Sequence, residues 1–234
     1  LPILQNKGYE VATPIQSGCI PFLMDDQDVV AKAPTGTGKT YAFGIPIVEH
    51  TDPEGTDVTS LILAPTRELA LQIRDDLREL SALKKGVRVV CLYGGQPIDK
   101  QVNQLKKKPQ IVVATPGRLM DHKKRRTIRL DKVQTVILDE ADRMLDMGFI
   151  DDVTKILDMM PNRKNLGLFS ATISREVMDI SWVYQRDPAE ITVRPVNEDR
   201  PDIQQYRLEL DSREEKVDVL MALLEGGGYE RAIA

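Results

Sequence analysis

Short apolar runs alternate along the chain with longer segments of helical periodicity. Continuous apolar runs are typical of strands covered on both faces, whereas apolar residues three or four apart indicate amphipathic helices. The pattern predicts strands at the start of 28–40 and at 60–64, 87–92, 111–114, 133–138, 166–169 and 191–193, with helices at 13–24, 40–48, 67–83, 97–106, 117–122, 150–159 and 175–184. This alternation predicts an α/β fold with a mostly parallel sheet and helices on both faces.

Polar segments follow directly on six of the predicted strands. They are 35–40, 65–68, 94–95, 115–118, 139–140 and 170–172. The carboxyl ends of parallel strands meet at one edge of a sheet, and ligands of such sheets bind beyond that edge. We therefore expect the six segments to line one site.

The segment after the first strand predicts a phosphate-binding loop. It ends in Gly-Lys-Thr, as in G-x-x-x-x-G-K-[ST], although Ala33 replaces the first glycine. Backbone N–H groups of such a turn point at a triphosphate, so Lys39 would reach the β- and γ-phosphates and Thr40 would ligate Mg²⁺. The predicted nucleotide-binding residues are Thr35, Gly36, Thr37, Gly38, Lys39 and Thr40. The alternative is a glycine-rich turn with a surface lysine.

Two acids, Asp139 and Glu140, end a predicted strand of the same sheet. In nucleotide chemistry the first acid holds Mg²⁺, usually through water, and the second orients or deprotonates the attacking water. Lys39, Asp139 and Glu140 are therefore the predicted catalytic residues, and Thr40 with Asp139 the predicted metal ligands. The alternative is an acidic helix start stabilised by the helix dipole.

The composition limits the possible classes of protein but does not indicate a reaction. The chain has 234 residues, a net charge of −4 and only two cysteines, Cys19 and Cys91, so a disulfide or zinc framework has little material. No apolar run reaches membrane-spanning length, and the chain starts at Leu1 without a signal-peptide pattern. We therefore expect a cytoplasmic protein without a membrane role. A start at Leu1 suggests a trimmed N-terminus.

Two basic runs, 106–108 and 123–126, stand out against the acidic net charge. Runs of this kind are more often solvated helix ends or loops than binding patches, so the sequence favours the first interpretation.

The composition changes near residue 195. Residues 195–202 are rich in proline and alternating charge, which is typical of a linker. A strand is predicted at 203–210, followed by a helix over 216–225 capped by Ser212, and 231–234 resembles the opening of another strand. The predicted organisation is one domain over 1–194, a linker, and the start of a second domain over 203–234.

The polar segments together resemble the motifs of the DEAD-box family of RNA helicases, in the family's order. The matching segments are 33–40 (motif I), 65–69 (Ia), 94–95, 115–118 (Ib), 139–142 (II) and 170–172 (III). The resemblance implies a RecA-like P-loop NTPase domain, a monomer that binds ATP or ADP with Mg²⁺, and RNA as the partner.

Upstream, residues 8–16 are similar to the family's Q motif, although Ala12 stands where the family usually has proline. The resemblance assigns adenine recognition to Gln16, and amide side chains do bond adenine in a bidentate way.

The resemblance also assigns contacts with the RNA backbone to Arg67, Gly95, Thr115 and Arg118. Arginines, hydroxyls and backbone N–H groups contact phosphates without reading sequence. Intradomain salt bridges of the two arginines, for instance with Glu68 or Asp121, are the alternative. Three phosphates at ~0.7 each predict a log–log salt slope of about −2 for RNA binding.

Ser170 and Thr172 resemble the element that couples nucleotide state to RNA binding, through hydrogen bonds to the acids near Asp139. A hydroxyl cap on the next helix is a compatible alternative.

The family's second domain supplies arginine fingers, each worth ~10³ to 10⁵ in rate. This chain is therefore expected to bind nucleotide but to hydrolyse it near background. Two other functions remain open: another P-loop motor such as a DNA helicase, which Gln16 and the 139–142 motif disfavour, and an ATP-gated RNA clamp that does not separate strands.

Overall fold

The computed structural model describes residues 6, 8, 10–160, 162–194, 207–210, 212 and 215–226. Its strands are β1 Val29–Lys32, β2 Ser60–Leu63, β3 Val89–Leu92, β4 Ile111–Ala114, β5 Thr135–Asp139, β6 Asn165–Ser170 and β7 Ala189–Thr192. Its helices are α1 Pro14–Met24, α2 Lys39–His50, α3 Arg67–Leu80, α4 Ile98–Leu105, α5 Pro116–Lys124, α6 Ala141–Asp146, α7 Ile150–Asp158, α8 Arg175–Tyr184 and α9 Glu215–Gly226.

The seven strands form one parallel sheet in the order β3-β4-β2-β5-β6-β1-β7. β1, which leads into the glycine-rich loop, lies between β6 and β7, with Val29 opposite both Gly167 and Ala189. β5, which leads into the acidic motif, is the other neighbour of β6. The predicted α/β fold with a parallel sheet is confirmed.

Two apolar cores cover the two faces of the sheet, which explains why its strands are continuous apolar runs. Alternate residues of one strand divide between the cores: Leu61 and Leu63 belong to one, and Ile62 belongs to the other. Helices α1, α2 and α3 cover the Ile62 face, and α5, α6, α7 and α8 cover the Leu61 face. Cys19 and Cys91 are buried in the Ile62 core, and burial raises the pKa of each thiol to about 12.

Local sequence signals set the helix starts. Thr66 precedes α3, and its hydroxyl accepts a hydrogen bond from Leu69 N at 3.3 Å. Ser174 does the same for α8 by accepting from Val177 N at 3.4 Å. Side-chain oxygens at this position satisfy N–H groups that the first helical turn leaves without partners.

The predicted pattern is wrong in a few places. It lacks α6, a six-residue helix that begins directly after Glu140. A helix this short has no apolar periodicity to reveal it. The predicted helix 67–83 ends at Leu80, because Ser81 caps α3.

The chain divides into two compact units, 1–195 and 196–234. In the second unit α9 extends one residue beyond each end of the predicted helix, and Ser212 Oγ accepts from Glu215 N at 3.4 Å, as expected of its cap. The described part of the predicted strand, 207–210, is not in a strand. A strand forms only where a neighbour completes its hydrogen bonds. The predicted linker and the segment 231–234 lie outside the described residues.

None of the helices in the described part of the chain is both long and apolar enough to span a bilayer.

Candidate nucleotide site and RNA-facing edge

The glycine-rich loop continues the sheet before it turns. Ala33 N donates to Ser170 O at 3.0 Å, and the Ala33 side chain is completely buried in the Ile62 core. The methyl group that replaces the first glycine of the pattern is therefore a core contact. Gly36 and Gly38 adopt left-handed backbone angles, with φ of 79° and 93°, which glycine adopts without steric cost.

Lys39, the first residue of α2, is buried and is held by its own loop. Its Nζ donates to the carbonyl oxygens of Ala33 at 2.9 Å and Pro34 at 3.2 Å. The hydroxyl of Thr37 donates to Pro34 O at 2.8 Å and completes the turn. An ammonium that bonds phosphate has to exchange these carbonyls for phosphate oxygens, which are stronger acceptors because they are charged.

Gln16 joins the start of α1 to the same loop. Its Oε1 accepts from Thr13 N at 3.0 Å, and its Nε2 donates to Gly38 O at 3.2 Å. A Cβ on residue 38 would lie 2.5 Å from Gln16 Nε2, so a side chain there would displace the Gln16 amide from the loop. The predicted adenine reader is therefore in direct contact with the phosphate loop.

A cavity of about 460 Å³ opens above this loop. The predicted residues that line it are Gln16, Thr35, Gly36, Thr37, Gly38, Lys39, Thr40, Asp139 and Glu140. Tyr41 of α2 and Leu69, Gln72 and Asp76 of α3 also line it, and the sequence reasoning missed all four. Helical periodicity alone does not show that α3 flanks a loop from a much earlier part of the chain.

Asp139 is a buried carboxylic acid at the end of β5, only 3% exposed. Burial raises its pKa to about 6, although the charge of Lys39 and the Glu140 N–H group, which donates to Asp139 Oδ1 at 3.0 Å, act in the opposite direction. The acid therefore ionises close to neutral pH, and a cation bound beside it would lower its pKa.

Glu140 has the left-handed φ of 50° and occupies the position before α6. Its Oε2 accepts from Arg143 Nη1 at 3.2 Å, one helical turn further on. The segment both starts a helix and lines the cavity. Arg143 was not predicted, and only its spacing of three residues from Glu140 could have indicated the pair.

Asp142, the second residue of α6, connects the acidic motif to the end of β6. Its Oδ2 accepts from both N and Oγ1 of Thr172, at 2.9 and 2.6 Å, and its N–H donates to Ser170 Oγ at 3.1 Å. Burial alone would raise the pKa of Asp142, but the bonds from Thr172 and Ser170 lower it below its usual value. The expected hydrogen bond to the acids is present for Thr172, which donates to the Asp142 carboxylate, whereas Ser170 accepts from the Asp142 amide.

The alternative role of these hydroxyls, a cap on the following helix, is wrong. Ser174 caps α8, whereas Ser170 bonds the first turn of α6, which precedes it in the chain.

The four predicted RNA-contacting residues lie at the carboxyl edge of β2, β3 and β4. Arg67 is exposed, with its guanidinium 4.9 Å from the ring centre of Tyr93, and the ion pairs found among the described residues do not include it. Gly95 has φ of 81°, and a Cβ there would lie 3.6 Å from Arg67 Nη1. Thr115 is partly exposed at the start of α5.

Arg118 is bound within the domain. Its Nη1 donates to Gln96 O at 2.8 Å, and its Nε lies 3.7 Å from Asp121 Oδ2, so the salt bridge considered as an alternative exists at long range. Tyr93 and Gln96 therefore support both arginines: Gln96 Nε2 also donates to Tyr93 Oη at 3.1 Å. The sequence reasoning missed both residues, although they flank the Gly94-Gly95 pair.

A buried polar network holds this loop from below. Gln101 Nε2 donates to Tyr93 O at 2.9 Å, and Gln101 Oε1 lies 3.0 Å from His122 Nε2. An amide oxygen only accepts, so Nε2 carries the proton and Nδ1 accepts from the Thr127 hydroxyl at 2.7 Å. Burial, followed by the charge of Arg118, lowers the pKa of His122 to about 4, which keeps the ring neutral.

The donors available for a magnesium ion are few but suitable. Asp139 and Thr40 line the same cavity, and both offer the hard oxygen ligands that Mg²⁺ prefers. The described residues contain no group of three or more His, Cys, Asp or Glu side chains arranged to hold a metal. Mg²⁺ usually keeps several waters and uses one or two protein oxygens plus substrate phosphates, which fits this donor set.

Comparison with known proteins gives consistent matches. The family model for the DEAD/DEAH box helicase matches residues 13–180. The DEAD-box ATP-dependent RNA helicases CshA of Geobacillus kaustophilus and Bacillus subtilis are each 45% identical over 98% of this chain, which covers 49% and 46% of their lengths. The chain thus spans about half the length of the curated relatives it matches.

Solved structures agree with this result. A DEAD box protein from Methanococcus jannaschii matches with a TM-score of 0.79 and 39% identity over 97% of this chain and 61% of its own. The yeast DEAD-box splicing factor Prp28 matches with a TM-score of 0.79 and 32% identity over 96% of this chain and 55% of its own. With the site geometry and the family model in agreement over residues 13–180, the chain belongs to the DEAD/DEAH box helicase family and has its RecA-like fold.

Proposed function

We propose that the protein containing this chain is an ATP-dependent RNA helicase, and that residues 1–194 form its ATP-binding half. One observation carries the proposal: the nucleotide cavity and the proposed RNA contacts lie at the same carboxyl edge of the sheet, where the neighbouring strands β5 and β2 end. The Asp142–Thr172 hydrogen bonds join the ends of β5 and β6 at that edge. The names of the relatives support RNA as the substrate.

ATP binding is assigned to the loop 35–40 and to Gln16. The loop N–H groups and Lys39 hold the phosphates, and Gln16 reads the adenine edge after releasing Gly38 O or Thr13 N. Thr40 and Asp139 would hold Mg²⁺, which neutralises charge on the β- and γ-phosphates when bound. Asp139 provides the ionised oxygen that this role needs at pH values above its pKa of about 6.

Glu140 is assigned the role of general base. Its carboxylate is paired with Arg143, so it has to leave this pair before it can accept a proton from water. The residues that would complete the γ-phosphate site belong to the family's second domain, of which residues 203–234 are the proposed start. We therefore expect hydrolysis near background from this chain by itself.

RNA binding is assigned to Arg67, Gly95, Thr115 and Arg118 through backbone contacts that carry no sequence preference. In the complete protein, ATP and RNA would close the two domains together and bend one strand of a short duplex. Ser170 and Thr172 would transmit the nucleotide state, because their partner Asp142 lies two residues from the base Glu140. We also propose that the protein is a monomer in the cytoplasm.

The test compares this chain with the full-length protein. The full-length protein is expected to show RNA-stimulated ATP hydrolysis and repeated release of short RNA duplexes, and Glu140→Gln is expected to retain ATP binding but stop turnover. Normal hydrolysis by Glu140→Gln would refute the assignment of the base. RNA-stimulated turnover by this chain alone would refute the half-site, and a single round of duplex release would favour the clamp.

A further inference from the structure

The two basic runs, separate in sequence, meet at the edge of the sheet opposite the nucleotide site. Run 106–108 follows α4 directly and precedes β4, and run 123–126 ends α5. A pocket of about 150 Å³ joins them: it is lined by Lys108 and by Thr127, next to Arg126, with Arg129 and Lys132 beyond. The two runs and this pocket are called the basic surface below.

Most of these charges are exposed, and one acid, Asp57, lines the pocket beside them. Lys106, Lys107, Lys108, Lys124, Arg125 and Arg126 are all exposed. The salt bridges found among the described residues include no member of either run; Arg129 alone is paired, with Asp131 at 3.0 Å. One basic residue at each helix end is enough for a favourable interaction with the helix dipole. The two runs contain seven basic residues, which is more than this interaction explains.

Two of the basic residues also occupy positions that favour glycine. Lys108 and Arg126 end their helical turns with φ of 54° and 55°, and their N–H groups donate to Leu105 O and Lys123 O, each at 2.9 Å. A non-glycine residue held in this region is strained relative to glycine. Charge is thus placed where backbone geometry would favour a residue without a side chain.

The composition of the surface favours a polyphosphate over a protein. Protein interfaces have apolar centres with few lysines. None of the large apolar side chains exposed in the described part of the chain lies within either run or the pocket. The pocket is small and is lined in part by Val58, Leu105 and Ile128, but the charges around it are clustered lysines and arginines, which are the footprint of a nucleic-acid backbone.

Helix α5 connects this surface to the proposed RNA site. Thr115 and Arg118 lie at its beginning and the run 123–126 at its end, nine residues or about 13 Å away. We infer that RNA held at the start of α5 continues along the helix and that its flanking phosphates bind the basic surface. This inference rests on the proposed function and adds a second contact region, which the short backbone-reading motifs do not include.

The test measures fluorescence anisotropy of this chain with single-stranded RNA of about 6 and about 16 nucleotides, the range of sites on single-strand-binding proteins. Lys107→Glu/Arg125→Glu is expected to weaken the longer RNA about tenfold and to reduce its salt slope by about 1 to 2, with little effect on the shorter RNA. The matched control, Arg175→Glu/Arg186→Glu, makes the same charge change at exposed positions of and after α8 and is expected to leave both affinities unchanged.

A second variant separates charge from folding. Lys108→Gly/Arg126→Gly relieves the left-handed backbone strain, so it is expected to fold with unchanged or higher stability and still to lose severalfold in affinity for the longer RNA. Equal binding of the longer RNA by both variants and the wild type would overturn the inference. So would equal weakening of both RNAs, which indicates a general charge effect.

Two further measurements distinguish a failure of this inference from a failure of the proposed function. If a labelled polyglutamate peptide loses binding in Lys107→Glu/Arg125→Glu while the longer RNA does not, the surface serves an acidic protein and the inference is wrong. Arg118→Ala tests the proposed function separately: unchanged binding of the shorter RNA by this variant would remove the RNA site at the start of α5, whatever the basic surface does.

Discussion

Asp142 Oδ2 receives two hydrogen bonds from Thr172, one from its amide and one from its hydroxyl, at 2.9 and 2.6 Å. These bonds join the acidic motif after β5 to the segment after β6, two neighbouring strands of the sheet. The contact is charge-assisted and short, so it ties the nucleotide cavity to the next loop more firmly than packing alone.

Thr172→Val removes the hydroxyl donor and keeps the side-chain shape. The wild-type pKa of Asp142 lies below its usual value, and it is expected to rise toward that value in the variant because one of its bonds is lost. Carboxyl ¹³C chemical shifts recorded across an acid titration measure this. The wild-type bonds stabilise the fold above the ordinary Asp pKa, and this stabilisation is lost as pH falls through the lowered pKa.

Thr154→Val is the matched control, because the Thr154 hydroxyl donates to backbone carbonyls of its own helix, those of Ile150 and Asp151. In the full-length protein, Thr172→Val is expected to reduce duplex release more than ATP hydrolysis. An equal loss of both activities would contradict a coupling role.

Lys39→Met keeps most of the buried aliphatic volume and removes the ammonium. Nucleotide affinity is expected to fall about 100-fold or more, because hydrogen bonds to charged groups contribute roughly 1.5 to 3 kcal/mol each. Isothermal titration calorimetry of this chain with ATP and Mg²⁺ measures the loss. Lys32→Met changes an exposed lysine one residue before the loop and is expected to bind normally. Equal affinities for Lys39→Met and the wild type would exclude Lys39 from the phosphate site.

Asp139→Asn removes a buried acid whose pKa is raised to about 6 from 3.8. Between these pH values the folded chain keeps a proton that the unfolded chain has lost, so wild-type stability falls as pH rises through this window and is constant above it. The variant lacks this penalty, which is at most roughly 3 kcal/mol from about two pKa units. Its stability gain over the wild type should therefore grow between pH 4 and 6 and then level off.

Urea unfolding at a series of pH values measures this difference. Asp179→Asn, which makes the same change at an exposed acid of α8, is the control. A flat profile for Asp139→Asn would mean that the buried carboxyl titrates normally.

Gln16→Ala removes both bonds of the amide and is expected to reduce the preference for ATP over GTP. A bidentate amide–adenine pair contributes roughly 1 to 3 kcal/mol of discrimination, so the ratio of affinities should fall by about tenfold or more. Competition binding with the two nucleotides measures the ratio. Gln72→Ala, at another amide that lines the cavity, is the control. If both variants retain the preference, adenine is read elsewhere.

Short sequence patterns are sufficient to predict much of the secondary structure of this chain. Apolar runs such as 60–64 and 111–114 predict strands because both faces of a parallel sheet are covered, and Thr66 marks a helix start through its own hydroxyl. The position of polar segments after strands predicts that Lys39, Asp139 and Glu140 converge, because parallel strands bring their carboxyl ends to one edge.

Contacts between distant segments depended on the tertiary structure. The sequence does not show that Lys39 donates hydrogen bonds to the carbonyls of its own loop or that Gln16 donates one to Gly38 O. Nor does it show that the Arg67 guanidinium lies over the Tyr93 ring. Each depends on side-chain directions and strand order, here β1 beside β6 and β6 beside β5, which no local pattern encodes.

The amino-acid sequence by itself determined the class of fold and the order of the motifs, and it predicted the nucleotide-binding residues, because strand period, helix caps and loop glycines act over a few residues. The tertiary structure decided how these parts are joined. It selected Asp142 as the partner of Thr172, placed Asp139 where burial shifts its pKa, and brought the runs 106–108 and 123–126 together on one surface. Burial and long-range proximity are properties of the packed chain, and they arise only when the sheet is assembled.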